Sequence, residues 1–217
     1  MVYKKPLTSN SVKRIIKFMK LKTFVAPLFL LTFLGCATGY QNPNLPNLAP
    51  EKEYFRAVVD FTAKQQVYDG LYQKMEFDAT LLNSKVARLQ VDESARIYQW
   101  SEDQYKNKKS ETETNLSKQT DVFLGFFVPE RKQDDLQKSS TLWKIFLDVN
   151  GKRYEAKVTK IKTIHADVVS LYPHQSRFYT PYKLTFAVPA TQVDNAASKL
   201  TLTGPVGSTS VDFKPIQ

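Results

Sequence analysis

An antiparallel β-sandwich, immunoglobulin-like and carrying one inserted amphipathic helix, is the fold predicted by this sequence of 217 residues, with an open β-barrel as the alternative. Three observations carry that expectation. Runs in which apolar and polar residues alternate recur from residue 55 onward, the period of a half-buried strand. Turn signals separate them, Asp69-Gly70 and Asn150-Gly151 most plainly, since such pairs accept the positive φ of a tight hairpin. A sustained helical stripe interrupts the strands after Asn83.

Taken in order, Phe55, Ala57, Val59, Phe61 and Ala63 alternate with polar partners and predict the first strand. Tyr54, Phe55, Val58 and Val59 also fit a helix over 51–66 with Pro50 at its first turn, the competing assignment. Met75, Phe77, Ala79 and Leu81 predict the second strand, beyond the turn Tyr68-Asp69-Gly70. Asn83-Ser84 supplies an N-cap, and Val86, Leu89, Ile97 and Trp100 recur at helical spacing, so 84–105 reads as one helix laid on a sheet. The almost wholly polar stretch 106–119 reads as a solvated helix end or a loop. Val122–Val128 is a strand stopped by Pro129, and Leu142–Val149 and Tyr154–Ile161 flank the Asn150-Gly151 hairpin. Tyr182, Leu184, Phe186 and Val188 alternate up to Pro189. Lys199–Thr203 and Ser210–Lys214 pair around Gly204-Pro205-Val206-Gly207.

The net charge of +10 suggests a nucleic-acid partner until its distribution is read. Residues 1–35 hold Lys4, Lys5, Lys13, Arg14, Lys17, Lys20 and Lys22 and no acid, so 36–217 carries only +3 and no nucleic acid is expected. From Met19 the chain has a short basic start, an apolar core Thr23–Leu34, then Gly35 and Cys36, the three-part layout of an export signal. The apolar core is too short to span a bilayer. Either Met19 is the true start or residues 1–18 are a long basic leader region.

Phe33-Leu34-Gly35-Cys36 resembles the lipobox of bacterial lipoproteins, with Phe33 in place of the usual leucine. The resemblance implies that Phe33, Leu34 and Gly35 are read by a signal peptidase, and that Cys36 is linked to a diacylglycerol, becomes the first mature residue and is acylated. Cys36 is the only cysteine and so has no disulfide partner in the chain. Ala37 stands where some inner-membrane lipoproteins carry aspartate, so the family's sorting rule implies the periplasmic face of the outer membrane. The organisation expected is a signal peptide at 1–35, a lipidated cysteine with a Pro/Asn-rich tether at 36–50, and a β-rich domain at 51–217. Tyr68-Asp69-Gly70, Ala79-Thr80, Trp143, Leu171-Tyr172-Pro173 and the alternation Tyr182, Leu184, Phe186 also resemble uncharacterised envelope lipoproteins with sandwich-type domains.

Chemistry is thinly marked. His165 and His174 are the only histidines and lie in no zinc motif, and no Gly-rich phosphate loop occurs, so neither metal nor cofactor is expected. On an alternating strand His165 and Asp167 would share a face as base and orienter. Asp134-Asp135 and Glu111/Glu113 sit in polar stretches and read as solvated. The one concentration of aromatics with polar groups is 172–182, where Tyr172, His174, Arg177, Phe178 and Tyr179 form a candidate partner surface for an envelope protein or a glycan. The bland alternative is a loop packed across the end of the sandwich by its tyrosines. The expectation is a non-catalytic, lipid-anchored envelope protein that binds or scaffolds other components; the alternative is a cell-wall or glycan hydrolase of unfamiliar type.

Overall fold

Alternation is realised most cleanly in the first hairpin. In the computed structural model, which describes residues 41–45 and 47–216, β1 (Thr62–Asp69) pairs antiparallel with β2 (Tyr72–Leu82) across the two-residue loop Gly70-Leu71. Gly70 has φ +58°, so positive φ falls on the first loop residue, as a type II′ turn requires. β3 (Thr120–Phe127), β4 (Lys144–Val149), β5 (Lys152–Glu155), β6 (Lys157–Lys160), β7 (Thr180–Phe186), β8 (Ser198–Gly204) and β9 (Gly207–Phe213) follow. They form a five-stranded sheet of order β1-β2-β3-β7-β6 and a four-stranded sheet of order β5-β4-β8-β9, with every neighbour antiparallel. The mainly β, two-sheet architecture expected from the sequence is present, and these sheets do not close into a barrel.

The core lies between the sheets. Met75, Phe77, Ala79 and Leu81 of β2, Val122, Leu124 and Phe126 of β3, and Tyr182, Leu184 and Phe186 of β7 meet Ile145, Leu147, Val149, Leu200 and Leu202 of the smaller sheet. Burying side chains of this size stabilises by roughly 1.5–3 kcal/mol each. Trp143 closes one end of this layer, edge-on to Phe126 at 5.2 Å, its indole N–H donating to the Gln133 carbonyl at 2.7 Å.

Several assignments are corrected. The segment expected as a first strand from Phe55 is a helix, α1 (Glu51–Asp60), and only Thr62 and Ala63 onward is strand. Tyr54, Ala57 and Val58 form its buried stripe against Val86 and Leu89, and Glu51 and Glu53 complement the helix N-terminus. Both periods fit these residues; packing chose the helical one.

The single helix expected over 84–105 is two, α2 (Ser84–Ile97) and α3 (Glu102–Leu116). Gln99 adopts φ 52°, and the Trp100 N–H donates to the Ala95 carbonyl, the six-to-one bond of a Schellman ending. Ser101 then opens α3 with a capping box to Gln104. The polar stretch 106–119 is therefore helix as far as Leu116.

The strand expected as Tyr154–Ile161 divides at Ala156. β5 pairs with β4 in the smaller sheet, while β6 pairs with β7 in the larger, so one extended run crosses the edge of the sandwich. Residues 165–171 are a short helix, α4 (His165–Leu171), rather than strand, and α5 (Ala190–Asp194) precedes β8. Among the described residues five α-helices thus accompany the sheets where one was expected.

The stretch expected as a free tether also differs where it is described. Asn42 is buried, its amide donating to the carbonyls of Ala95 at 2.9 Å and Trp100 at 3.0 Å. Farther along, the Ala49 N–H donates to Asp92 at 3.0 Å, and Arg96, paired with buried Glu93, also donates to the Ala49 carbonyl. Asn42 and Ala49 thus tie the described part of this stretch to α2 as a strap.

Candidate binding surfaces

The outer face of the five-stranded sheet, opposite the core, is covered. Phe123 of β3 points outward there and is only 1% exposed, because Tyr172 stacks on it with ring centroids 3.6 Å apart and planes within 4°. The Tyr172 hydroxyl accepts from Gln90 of α2 at 2.7 Å, and burial pushes its phenol far above the usual range. Two of the expected surface residues are thereby drawn inward: Tyr172 is buried and His174 is half-buried.

His174 ends a chain of hydrogen bonds whose direction can be read. Thr62 Oγ1 has one hydrogen and donates it to the Val58 carbonyl at 2.6 Å. At the 2.7 Å contact with Thr80 Oγ1 it must then accept, so Thr80 has spent its own hydrogen. Thr80 Oγ1 can only accept from His174 Nε2 at 3.2 Å, which places a proton on Nε2. A base facing a nucleophilic hydroxyl needs a lone pair there, so this order is opposite to that of an activated threonine. Burial lowers the His174 pKa below 6.5; Asp78 opposes that shift and Lys64 adds to it.

Beside the histidine, buried Asp78 is bridged to exposed Lys64 at 2.9 Å. Gln175 donates to the carbonyls of Ser176 at 3.0 Å and Tyr179 at 2.8 Å, while its Oε1 lies flat against Gly125, where a Cβ would stand only 2.5 Å away. Tyr179 packs 6.2 Å from Phe127, and burial together with a hydrogen bond to Glu76 pushes its phenol up. Arg177 and Phe178 alone among the expected five project outward, Phe178 with 73% of its surface exposed. The loop therefore divides between packing and display.

Phe178 has company. β3 ends opposite Glu76 and Thr180, so the β1–β2 tip, residues 128–143 and residues 176–179 all leave the larger sheet at one end. Here Leu71 is 98% exposed, Leu142 75%, and Tyr68 and Tyr72 are exposed as well. An apolar side chain at a hairpin tip buries nothing in this fold. Leu71 and Tyr72 were missed from sequence, although their position directly after Asp69-Gly70 marked them as turn residues of the wrong polarity. Asp134 and Asp135, expected to be solvated, brace this end: Asp134 accepts from Thr180 and from Tyr182 at 2.8 Å, and Asp135 from Thr141 at 2.9 Å.

A cleft of about 310 Å³ opens between α2, α3 and the sheet, with Leu82, Val91, Trp100, Phe123 and Tyr172 among its apolar walls. At its mouth Lys183 is bridged to Asp121 at 2.8 Å and Lys108 to Glu111 at 2.7 Å. Glu113 is likewise engaged, held by Arg88 through two hydrogen bonds.

His165 and Asp167 do not form the pair expected of them. Two residues apart on α4 they point to different sides, and His165 is exposed while Asp167 is half-buried. Among the described residues no cluster of three metal-ligating side chains occurs, and no helix is long and apolar enough to cross a membrane. Phe33, Leu34, Gly35 and Cys36 lie outside the described residues. Comparison with protein-family models, with curated proteins and with solved structures yields no match.

Proposed function

We propose that this protein is a lipid-anchored component of the bacterial cell envelope, held through Cys36 at the periplasmic face of the outer membrane, which binds or scaffolds another envelope component without catalysis. The observation that carries the binding role is the apolar rim at one end of the sandwich, Tyr68, Leu71, Tyr72, Leu142 and Phe178, with Arg177 beside it. Tyrosine and arginine are enriched in recognition hot spots, and the leucines and Phe178 around them add apolar area that excludes water. The lipobox-like Phe33-Leu34-Gly35-Cys36 supports the anchor. Confinement to a surface raises the effective concentration of partners there, so modest affinity suffices. The proton order at Thr80 and His174 supports the non-catalytic side of the proposal.

Two measurements test it. Cys36→Ser is expected to leave the protein uncleaved or to release it from the membrane fraction; unchanged processing and retention would refute the anchor. A photocrosslinking residue at Leu71 in intact cells is expected to capture a defined protein or glycan that the same residue at Lys152, in the β4–β5 hairpin, does not. Equal or background capture at both positions would refute the binding rim.

A further inference from the structure

We propose that the corner between α2 and α3, with Tyr98 and Trp100 at its tip, rests on the phospholipid surface to which Cys36 is anchored. The inference depends on the lipid anchor proposed above and adds which face of the protein lies on the bilayer.

Chain length carries the first step. Asn42 is 2% exposed and bonded to the carbonyls of Ala95 and Trp100, so the chain enters the folded body at this corner. Cys36 precedes Asn42 by six residues. Six residues reach about 20 Å at full extension, whereas a free tether ending at Pro50 would have reached more than twice as far. A lipidated Cys36 therefore keeps the α2–α3 corner close to the head groups, and the body cannot stand far off them.

The chemistry of the corner fits that neighbour. Tyr98 is 47% exposed although it is aromatic, and its ring stacks on Trp100 with centroids 6.4 Å apart and planes 21° apart. Tyrosine and tryptophan combine an apolar ring with one polar atom, and they favour the boundary between acyl chains and head groups. Beside them the strap and the first turns of α3 enclose a hollow of about 550 Å³ lined by Leu45, Leu48, Tyr105, Lys106 and Lys109. Lys109 lies 5.8 Å over the Tyr105 ring, and that phenol is pushed up to about 12 by burial and by its hydrogen bond to Asp92. Lys106 is paired with Glu102 of the same rim at 2.6 Å, so Lys109 is the cation that this rim offers to phosphate, above an apolar floor of leucine and tyrosine. Because the leash already supplies proximity, shallow insertion of the exposed Tyr98 ring, with half-buried Trp100 stacked behind it, is enough to hold this orientation.

Tryptophan fluorescence reads the prediction directly, since Trp100 and Trp143 are the only two in the chain and Trp143 is 3% exposed. The full chain is expressed so that it is processed, purified in detergent and reconstituted into vesicles of phosphatidylethanolamine and phosphatidylglycerol brominated on their acyl chains. The mass of the N-terminal peptide reports acylation of Cys36. In Trp143→Phe protein, Trp100 emission is expected to shift to the blue and to be quenched about threefold more than Trp143 emission in Trp100→Phe protein. Should either variant fold poorly, Tyr98→Cys labelled with an environment-sensitive dye replaces it, acylated Cys36 leaving that thiol the only free one; the dye is expected to brighten about threefold, unlike one at Leu71→Cys. An acylated Cys36 with Trp100 or Tyr98 probes whose emission the vesicles leave unchanged overturns the docking alone. An unmodified Cys36 overturns the anchor and the docking with it. A larger brightening of the dye at Leu71→Cys than at Tyr98→Cys assigns the bilayer to the hairpin rim and also overturns the proposal.

Discussion

At the scale of single residues, two positions show how close contact decides what can be replaced. Gly204 ends β8 with the Trp143 ring lying on it, so a Cβ there would stand 2.3 Å from Cε3 of a side chain that has nowhere to move. Gly204→Ala is expected to destabilise by about 2 kcal/mol, read as a lower urea midpoint with an altered Trp143 signal. His174 makes a prediction about pH. Its pKa is lowered in the folded state, chiefly by burial, so below pH 6.5 the unfolded chain binds the proton more readily. Stability is therefore present in full above that value and falls as the pH drops through it. His174→Gln is expected to flatten the fall between about pH 7 and pH 5, measured as urea midpoints at several pH values; an unchanged slope would assign the effect elsewhere.

At the scale of elements, α2 and α3 follow one another but are held in different ways. α2 buries Val86, Leu89, Val91 and Ala95 and is capped by Asn83, whose Oδ1 accepts from the Val86 N–H at 2.9 Å. α3 buries Leu116 alone and is otherwise attached by Tyr105 to Asp92 and by Arg88 to Glu113. Exposed ion pairs of that kind contribute little. Amides of α3 are therefore expected to exchange with solvent at least tenfold faster than those of α2 by mass-spectrometric hydrogen exchange, opening as a local unit. Equal protection would mean that the cleft beneath α3 is occupied or closed in solution. Asn83→Ala is expected to cost about 1 kcal/mol through loss of the cap.

At the scale of the whole molecule, the sandwich is joined at its two sides by different means. One run passes from the smaller sheet to the larger at Ala156, whose N–H donates to the Ile145 carbonyl at 2.9 Å, and the edge strands β1 and β9 lie side by side. A third layer of α2, α4 and the 172–179 loop then covers the outer face, where Phe123 and Leu82 lie among polar residues. The strap is part of that layer. A chain beginning at Glu51 is expected to be less stable than one beginning at Gln41 by about 2 kcal/mol, because the hydrogen bonds of Asn42 and Ala49 to Ala95, Trp100, Asp92 and Arg96 are lost. Equal urea midpoints would return residues 41–50 to the role of a free tether.

Much was legible in the residues themselves wherever a local rule had no rival. The hairpins at Gly70 and Asn150-Gly151 and the Asn83 cap follow from turn and cap chemistry, β2 and β7 from alternation, β3 from an apolar run stopped by Pro129, and β8 and β9 from the turn between them. The Ser101–Gln104 capping box was equally legible but was passed over inside a longer apolar stripe. Tertiary structure decided the rest, because local signals there were balanced or silent. Period two and period 3.6 both fitted 54–59 until α2 offered its apolar face, and left-handed Gln99 carried no glycine to announce the end of α2. Nothing in 172–179 told inward Tyr172, His174 and Gln175 from outward Arg177 and Phe178, since that division depends on which strand lies beneath the loop. The sequence by itself determined a β-rich body, as alternation and turn motifs are properties of neighbouring residues. Only the folded chain decided which faces remain exposed, as burial depends on partners distant in sequence.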